Sequence, residues 1–254
     1  NERIMNIKIG TRGSKLALIQ TEYVVNRLKE KYPDNSYEIT VIKTKGDIVL
    51  DKPLNSIGSA GVFVKEIEEK LKLGEIDMAV HSMKDMPAYP SEGLVFSRLW
   101  EREDNRDVLI INGKKNPEKN SFAQLSPGAV IGTGSIRRSL LLKDIRSDIR
   151  VVNIRGNVDT RLKKMEEEGL DGIVLAAAGL KRMGMEGIIS CYFDEEEMIP
   201  APTQGILALE CRETDVFIKE MLDSLSDETA DTEGTCEREF LREMGAGCHV
   251  PVGA

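Results

Sequence analysis

Residues 129–162 read AVIGTGSIRRSLLLKDIRSDIRVVNIRGNVDTRL. In this stretch two β-rich segments, Ala129–Gly132 and Arg150–Ile154, are each followed by a segment with helical spacing of apolar residues, Ser135–Ile145 and Asn157–Glu168. A strand–helix–strand–helix order of this kind is typical of a parallel sheet that is covered by helices. The stretch therefore predicts an α/β protein.

The same alternation extends in both directions from this stretch. The other predicted strands are Ile7–Gly10, Tyr37–Thr44, Asp77–His81, Leu94–Trp100, Val108–Ile111, Gly172–Ala176 and Ile206–Cys211, and the other predicted helices are Ser14–Lys31, Val62–Leu73, Asp215–Leu225 and Thr235–Met244. The turn-rich segment Asn112–Asn120 is predicted to divide two similar halves, and the polar segment Asp227–Glu233 is predicted to be a linker.

Composition excludes several classes of protein. The 254 residues are 41% hydrophobic and 31% charged, which suits a soluble chain with a core of its own. The net charge of −8 argues against a general binder of nucleic acid or acidic membranes. We find no apolar run near ~18 residues and no apolar stretch typical of a secretory signal, so no membrane span is expected. Four cysteines without C-x-x-C spacing, beside two histidines, predict no metal site and fit a reducing cytoplasm.

Positive charge is concentrated in one segment. Residues 133–164 hold nine basic and three acidic side chains, so this segment carries +6 in a chain of net charge −8. An acidic protein with one basic segment favours a small anionic ligand over a polyanion.

Three predicted strand-to-helix junctions share a pattern of small residues and arginine. They are Gly10–Lys15, Gly132–Arg138 and Asn153–Asn157, the last followed by Arg161. Small residues allow the N–H groups of a helix start to approach an anion, and arginine adds a fork that matches a carboxylate or phosphate. The glycines could instead be turn formers beside solvated arginines, but three such junctions and the basic segment together favour anion binding. Neither the P-loop motif nor the full dinucleotide fingerprint is present.

The segment His81–Pro87 (HSMKDMP) places four polar or ionisable residues at a predicted strand end. Asp85, next to Lys84, is expected to stay ionised, and it could stabilise a developing cation or give a proton to a leaving amine. A plain turn before Pro87 explains the same residues equally well.

The segment Gly245–Pro251 (GAGCHVP) holds a cysteine between glycines, which predicts an exposed, tightly turned loop. Cys248 could be a nucleophile, an attachment point or inert. His249 could serve as its base, although adjacent side chains in a loop often diverge. The other three cysteines lie in predicted strands or helices and are interpreted as core residues.

Together these motifs resemble the porphobilinogen deaminase family, also called hydroxymethylbilane synthases. The matching stretches, in family order over nearly the whole chain, are TRGSKLAL (Thr11–Leu18), KTKGD (Lys43–Asp47), FVKEIE (Phe63–Glu68), AVHSMKDMP (Ala79–Pro87), EREDNRDVLI (Glu101–Ile110), IGTGSIRRS (Ile131–Ser139), NIRGNVDTRL (Asn153–Leu162), APTQGILALECR (Ala201–Arg212) and GAGCHVPVG (Gly245–Gly253).

The resemblance implies a transferase that joins four porphobilinogen molecules head to tail into hydroxymethylbilane, releasing ammonia, in heme biosynthesis. It implies a dipyrromethane primer, joined by a thioether to the matching cysteine, Cys248, and a catalytic acid at the matching position, Asp85. The positions that match residues holding acetate and propionate groups are Arg12, Ser14, Lys84, Ser135, Arg137, Arg138, Arg155 and Arg161, and Asp47 matches a further cofactor-binding position. A cytoplasmic monomer without metal, nucleic-acid or membrane partners is expected.

The fold that the resemblance implies is α/β, with two lobes like those of periplasmic binding proteins, mainly parallel sheets and a smaller α+β third domain. The expected bounds are 5–106 with 200–225 for domain 1, 107–199 for domain 2 and 226–254 for the start of domain 3. Since family members usually continue beyond the cysteine loop, domain 3 is expected to be truncated here. The chain departs from the family at Ala60, where a lysine is common, and at Gly134, where a serine is common.

Other functions remain open at this stage. A non-catalytic two-lobe binder of a polycarboxylate would need neither Asp85 nor Cys248. A thiol enzyme that uses Cys248 and His249 would leave the arginines unexplained. An interaction domain without a site of its own is the least favoured reading.

Overall fold

A computed structural model describes residues 4–44, 64–245 and 251–254. The predicted features at Asp47, Ala60, Cys248 and His249 lie outside these residues. The described chain forms two compact units: unit 1 contains residues 4–44, 64–102 and 206–245, and unit 2 contains residues 103–205 and 251–254.

The elements follow the predicted alternation. The strands are β1 Asn6–Arg12, β2 Ser36–Ile42, β3 Met78–Ser82, β4 Leu94–Phe96, β5 Asp107–Ile111, β6 Val130–Gly132, β7 Arg150–Val152, β8 Gly172–Ala176, β9 Cys191–Tyr192 and β10 Leu207–Arg212. The α-helices are α1 Lys15–Lys31, α2 Lys65–Lys72, α3 Ile136–Ile145, α4 Val158–Glu167, α5 Ala177–Arg182, α6 Val216–Asp223 and α7 Glu228–Glu243. Short 3-10 turns occupy Met83–Asp85, Phe122–Gln124 and Glu186–Ile188.

Each unit is built on one five-stranded sheet of the same design. The strand orders are β2-β1-β3-β10-β4 in unit 1 and β7-β6-β8-β5-β9 in unit 2. In each sheet the first three strands are parallel, and the fourth runs antiparallel to both of its neighbours. Four of the five strands in each described sheet therefore run one way, which confirms mainly parallel sheets.

The reversed strand in each sheet comes just after the chain has crossed from the other unit. β5 follows the crossing at Arg102–Glu103, and β10 follows the crossing at Gly205–Ile206. Because the strand enters from the opposite end, its first residues lie at the edge where the parallel strands finish. The pairing of Asp107 with Ala176, at the end of β8, shows this directly.

Burial of the apolar residues accounts for the strands and helices. In unit 1, Ile7 and Ile9 alternate along β1 and are fully buried, and they pack with Val24 and Leu28 of α1. In unit 2, Leu109 and Val174 face one core cluster and Val108 and Ile173 face another, so β5 and β8 are covered on both faces.

Two sequence-based expectations are wrong. Residues 227–233 are not a linker but the start of α7, because the Asp227 side chain caps this helix by accepting from the Ala230 N–H at 2.8 Å. Asn112–Asn120 does not divide the units but lies inside unit 2, where buried Asn112 donates to the carbonyl oxygens of Met165 and Leu170.

The unit boundaries fall a few residues from the expected ones. Glu103 joins unit 2 through its N–H bond to the Gly205 carbonyl at 3.1 Å, and Arg106 accepts from the Ala177 N–H at 2.9 Å. Residues 226–245 lie in the same compact unit as the first hundred residues. A separate third domain starting at residue 226 stays a prediction.

Candidate active site

The carboxyl ends of β1 and β3 lie side by side at one edge of the unit 1 sheet, because these strands are adjacent and parallel. Arg12 ends β1, Ser14 caps α1 by accepting from the Ala17 N–H at 3.3 Å, and Lys84 and Asp85 follow β3. In α/β sheets ligands bind at this kind of edge, where successive strands are added on opposite sides. The structure thus brings these four predicted site residues to one edge of unit 1.

Asp85 lies on a short 3-10 turn with an apolar inner side. The Met83 N–H donates to the Ile206 carbonyl at 3.0 Å, and the Met86 N–H donates to the Met83 carbonyl at 3.0 Å. Met83 is 1% exposed and Met86 is 3% exposed, whereas Asp85 is exposed. The two methionines hold the turn to the core and leave the carboxylate at the surface.

His81, which the sequence groups with Asp85, has a different environment. Its side chain is buried, and its Nε2 lies 3.2 Å from Oε2 of the fully buried Glu210. Glu68 lies nearby, and burial, more than the charge of Glu210, raises its pKa, whereas the Ser91 hydroxyl that donates to it lowers it. These carboxylates and the imidazole form a buried polar group beneath the edge rather than part of its surface.

Two of the predicted junctions lie at the corresponding edge of unit 2, where the adjacent strands β6 and β7 end. Ser135 caps α3 by accepting from the Arg138 N–H at 3.3 Å, and Asn157 caps α4 by accepting from the Thr160 N–H at 2.9 Å. All three predicted strand-to-helix junctions are therefore present, and each has a side-chain cap.

Some junction glycines serve packing. A Cβ at Gly10 would lie 2.3 Å from Ile76 Cδ1, and one at Gly132 would lie 2.9 Å from Leu170 Cδ1. At Gly134 a Cβ would lie 2.9 Å from the Ile154 carbonyl oxygen. This close approach explains why the chain here favours glycine at position 134.

Arg137 and Arg138 share one buried carboxylate, that of Asp107. Asp107 is fully buried, and each arginine is 6% exposed. Arg138 donates through Nε at 3.0 Å and Nη2 at 2.7 Å to one carboxylate oxygen, and Arg137 Nη1 lies 2.8 Å from the other. Although burial raises the pKa of Asp107, the charges of Arg138 and then Arg137 outweigh it and lower this pKa to about 2.

The guanidinium groups of Arg137 and Arg138 differ in how many of their N–H donors have hydrogen-bond partners. Arg138 also donates to the Val174 carbonyl and to Gln204, so its donors are engaged within unit 2. Arg137 donates to the Ile199 carbonyl at 2.6 Å, but its buried Nε has no hydrogen-bond partner among the described residues. With two guanidiniums and one carboxylate, the cluster carries a charge of +1.

Arg155 and Arg161 are partly buried at the β7–α4 junction. Arg161 Nε donates to the Gly156 carbonyl at 2.7 Å, which holds its side chain against the junction. Gly156 has φ +119°, a conformation that favours glycine. The junction thus carries two arginines beside a turn that few other residues would adopt.

Sequence reasoning missed Asp107 and Gln204. The charge count of the basic segment includes only the acidic residues within that segment. Asp107 lies 30 positions before Arg137 in the sequence, and the reversed strand β5 brings it next to this arginine. Arg146, counted in that segment, instead pairs with Asp148 and donates to the Phe122 and Leu125 carbonyls. Asp107 lies in the stretch EREDNRDVLI, but nothing in the sequence pattern indicates that Arg137 and Arg138 are its partners.

Within the described ranges, no helix is long and apolar enough to span a membrane. No group of three or more His, Cys, Asp or Glu residues that could hold a metal is found there either.

The fold and the two polar edges define a two-lobe α/β protein of the periplasmic-binding-protein type. In fold it is similar to the periplasmic VFT2 domain of BvgS from Bordetella pertussis, at a TM-score of 0.50 and 16% identity, with 93% of this chain and 92% of that chain covered.

Sequence comparison identifies the family. Residues 7–220 match the family described as porphobilinogen deaminase, dipyromethane cofactor binding domain, and residues 232–254 match porphobilinogen deaminase, C-terminal domain. The chain is 55% identical over 252 residues to the porphobilinogen deaminase of Lachnospira eligens, which covers 98% of this chain and 84% of the relative. It is 49% identical over 247 residues to that of Bacillus subtilis, which covers 97% of this chain and 77% of the relative. The chain belongs to the porphobilinogen deaminase family.

Membership establishes the activity, the condensation of porphobilinogen in tetrapyrrole biosynthesis, and a dipyrromethane cofactor. It decides against the non-catalytic binder, the thiol enzyme and the plain interaction domain.

Proposed function

We propose that Asp85 is the catalytic carboxylate of this member of the porphobilinogen deaminase family and that the guanidinium cluster of unit 2 binds carboxylates of the cofactor and the growing chain. The reaction joins four porphobilinogen molecules head to tail with loss of ammonia. The observation that carries the proposal is the sharing of Asp107 by two buried arginines, of which Arg137 has an Nε without a hydrogen-bond partner in the described part of the chain.

The residues of unit 2 fit a dipyrromethane, which carries several carboxylates. An unsatisfied buried N–H is costly, and an anionic oxygen from a ligand would satisfy it. The cluster carries +1, so an added carboxylate would neutralise it. The capped helix starts at Ser135 and Asn157 add backbone N–H groups and the positive end of each helix dipole. When bound, the dipyrromethane supplies the pyrrole position to which the first substrate is joined.

The arginines have graded roles in this proposal. Arg137, whose Nε has no hydrogen-bond partner within the ranges that the structure describes, binds a carboxylate directly. Arg138, which donates to Asp107, contributes positive charge and holds Asp107 in place at the edge of the unit 2 sheet. Arg155 and Arg161, together with Ser135, hold acetate and propionate groups at the same edge of unit 2.

Asp85 acts as a fixed negative charge in unit 1. Loss of an amine from a pyrrole leaves positive charge on the ring, which a nearby carboxylate stabilises. The same group can hold the proton that passes to the departing amine. Its exposed position allows a substrate to reach it, and the buried Met83 and Met86 fix its turn. Arg12, Ser14 and Lys84, at the same edge, bind the substrate carboxylates.

Cys248 is proposed as the attachment point of the cofactor, with Asp47 as a further cofactor contact; both lie outside the described residues. The protein is further proposed to act in the cytoplasm as a monomer without nucleic-acid or membrane partners.

The attachment is tested with cysteine variants and intact mass. Cys248→Ser should give folded protein without the mass of two pyrrole units. Cys236→Ser is the matched control, because Cys236 is exposed on α7, and it should keep the full adduct. An adduct that survives Cys248→Ser, or one that maps to Cys191, Cys211 or Cys236, would overturn the assignment.

A further inference from the structure

Arg238, on α7, is a buried guanidinium that donates only to neutral acceptors among the described residues. Its side chain is 5% exposed. Its Nη2 donates to the carbonyl oxygens of Pro87 at 3.0 Å and Ala88 at 2.8 Å, and its Nη1 donates to Met83 Sδ at 3.2 Å. Its Cζ lies 5.1 Å from the centroid of the Phe96 ring. One guanidinium thus contacts a short segment of chain at three points.

The contacts of Arg238 lie on both sides of Asp85. Met83 comes two residues before Asp85, and Pro87 comes two residues after it. The 3-10 turn between them is only three residues long, and such turns have poor hydrogen-bond geometry. The chain after the turn is not part of a strand. The Pro87 carbonyl therefore accepts from Arg238, and the Ala88 carbonyl accepts from Arg238 and also from Arg242 Nε at 3.0 Å.

Burial of this cation has a cost, which its hydrogen bonds must offset. Desolvation, followed by the charge of Arg242, lowers the pKa of Arg238 to about 10. A lysine could fill the space, but it would place one point donor where a planar fork now reaches two successive carbonyls through Nη2 and Met83 Sδ through Nη1.

We propose that Arg238 is a positioning residue for Asp85, because its guanidinium braces the turn that carries this carboxylate. The proposal rests on the catalytic role of Asp85 proposed above. Arg238 acts through the backbone and does not touch the reacting atoms. Replacement of Arg238 therefore displaces the Asp85 carboxylate and lowers turnover. The other charged groups that bind the substrate are unchanged.

Other contacts hold α7 to unit 1 when Arg238 is replaced. Asp231 accepts from the Leu99 N–H at 2.8 Å and from Arg98 Nε at 2.9 Å. Glu237 forms a two-point pair with Arg102, at 2.5 and 2.9 Å. Replacement of Arg238 should therefore loosen the turn without undocking the helix.

The experiment uses full-length holoenzyme with Arg238→Met and Arg238→Lys, and with turnover counted per covalently bound cofactor. A misplacement near 1 Å can cost up to about 10²-fold in rate, so Arg238→Met should lower kcat by roughly 10- to 100-fold with KM changed much less. Arg238→Lys should recover only part of this loss. Hydrogen exchange at the amides of residues 83–86 and 88 should accelerate in both variants, a readout that does not depend on activity.

Arg212→Met is the matched control. Arg212 also donates from one nitrogen to two backbone carbonyls in unit 1, those of Leu71 and Ile76, but it does not contact the turn. This variant should lower the unfolding midpoint as Arg238→Met does, with kcat within about twofold of wild type.

A double-substitution cycle separates positioning from general stability. In the Asp85→Asn background, Arg238→Met should lower the remaining turnover by less than about twofold, because the group that it positions is gone. Equal losses with and without Asp85, or a wild-type kcat in Arg238→Met, would overturn the positioning role. Near wild-type turnover in Asp85→Asn alone would instead overturn the catalytic assignment, while hydrogen exchange would still report whether Arg238 braces the turn. Unchanged exchange in both Arg238 variants would overturn the brace itself.

Discussion

The two units share one sheet design but differ in the charge that they place at the edge where the parallel strands end. In unit 1 the reversed strand β10 brings Glu210, whose carboxylate lies buried beside His81, and the exposed edge group is Asp85. In unit 2 the reversed strand β5 brings Asp107, whose carboxylate is surrounded by Arg137 and Arg138. Unit 1 thus presents an exposed carboxylate beside Arg12 and Lys84, whereas unit 2 presents guanidiniums around a buried carboxylate.

This difference shows how one topology can serve two tasks. The sheet order decides where the strand ends meet, and the side chains at those ends decide which charge a ligand meets. A reaction on polycarboxylate pyrroles that passes through positive charge needs both signs. The buried residues of each unit then fix the position of the charge that it presents.

The largest expected effect comes from removing the negative charge of Asp85 in unit 1. Asp85→Asn keeps the shape of the side chain, and it should lower single-turnover ammonia release by roughly 10²–10³-fold, the cost of one well-placed charge interaction. A role in proton transfer would add to this loss, although the two roles share one group and need not multiply. Asp85→Glu, which keeps a displaced charge, should retain more activity.

Substrate affinity should change far less than turnover in Asp85→Asn. If turnover stayed near wild type in full-length, cofactor-loaded protein, Asp85 would be only a turn residue before Pro87, and the contrast between the units would lose its catalytic meaning.

The next effect comes from removing the carboxylate that organises unit 2. Asp107→Asn leaves two buried guanidiniums without an anion, so the free energy of unfolding should fall by about 3–5 kcal/mol. Asp148→Asn, at the more exposed pair with Arg146, should lower the unfolding midpoint much less. Chemical denaturation of the apo-protein measures both.

The acid dependence of stability gives the same prediction a second readout. Because the pKa of Asp107 is lowered from 3.8 to about 2, its contribution is complete above pH 3.8 and is lost as the pH falls towards about 2. Asp107→Asn should flatten this acid limb. An unchanged limb would show that the buried pair does not control it.

The smallest expected effects separate the two adjacent arginines. Arg138→Lys should mainly lower stability, because it loses the fork that binds Asp107 and the Val174 carbonyl. Arg137→Lys should mainly weaken the holding of carboxylates, because its Nε is the donor without a partner among the described residues. The unfolding midpoint should fall more in Arg138→Lys than in Arg137→Lys. The affinity for porphobilinogen should fall more in Arg137→Lys than in Arg138→Lys. Similar changes in the two variants would mean that the arginines have one shared role.

The local pattern of the sequence determined much of the fold. Predicted bounds agree within a few residues for most elements, and Gly172–Ala176 was predicted as it is found. Apolar periodicity and capping residues act over a few positions, so a chain read in order reveals them. The interpretation of residues 227–233 as a linker was wrong because it rested on their polarity. The helix cap at Asp227 and the contacts of Asp231 with Arg98 and Leu99 stabilise a helix there despite this polarity.

The motifs likewise determined which residue types surround the site, and the order of the strands decided how those residues meet. Asp107 reaches Arg137 and Arg138 only because β5 runs against its neighbours, and Arg238 reaches the turn of Asp85 from about 150 positions away. Such pairs arise from long-range strand order and helix docking, which leave no regular spacing in the sequence. The sequence by itself therefore determined the family, the fold class and the candidate charges, whereas the tertiary structure decided which charges are buried, which are shared and which remain to bind a ligand.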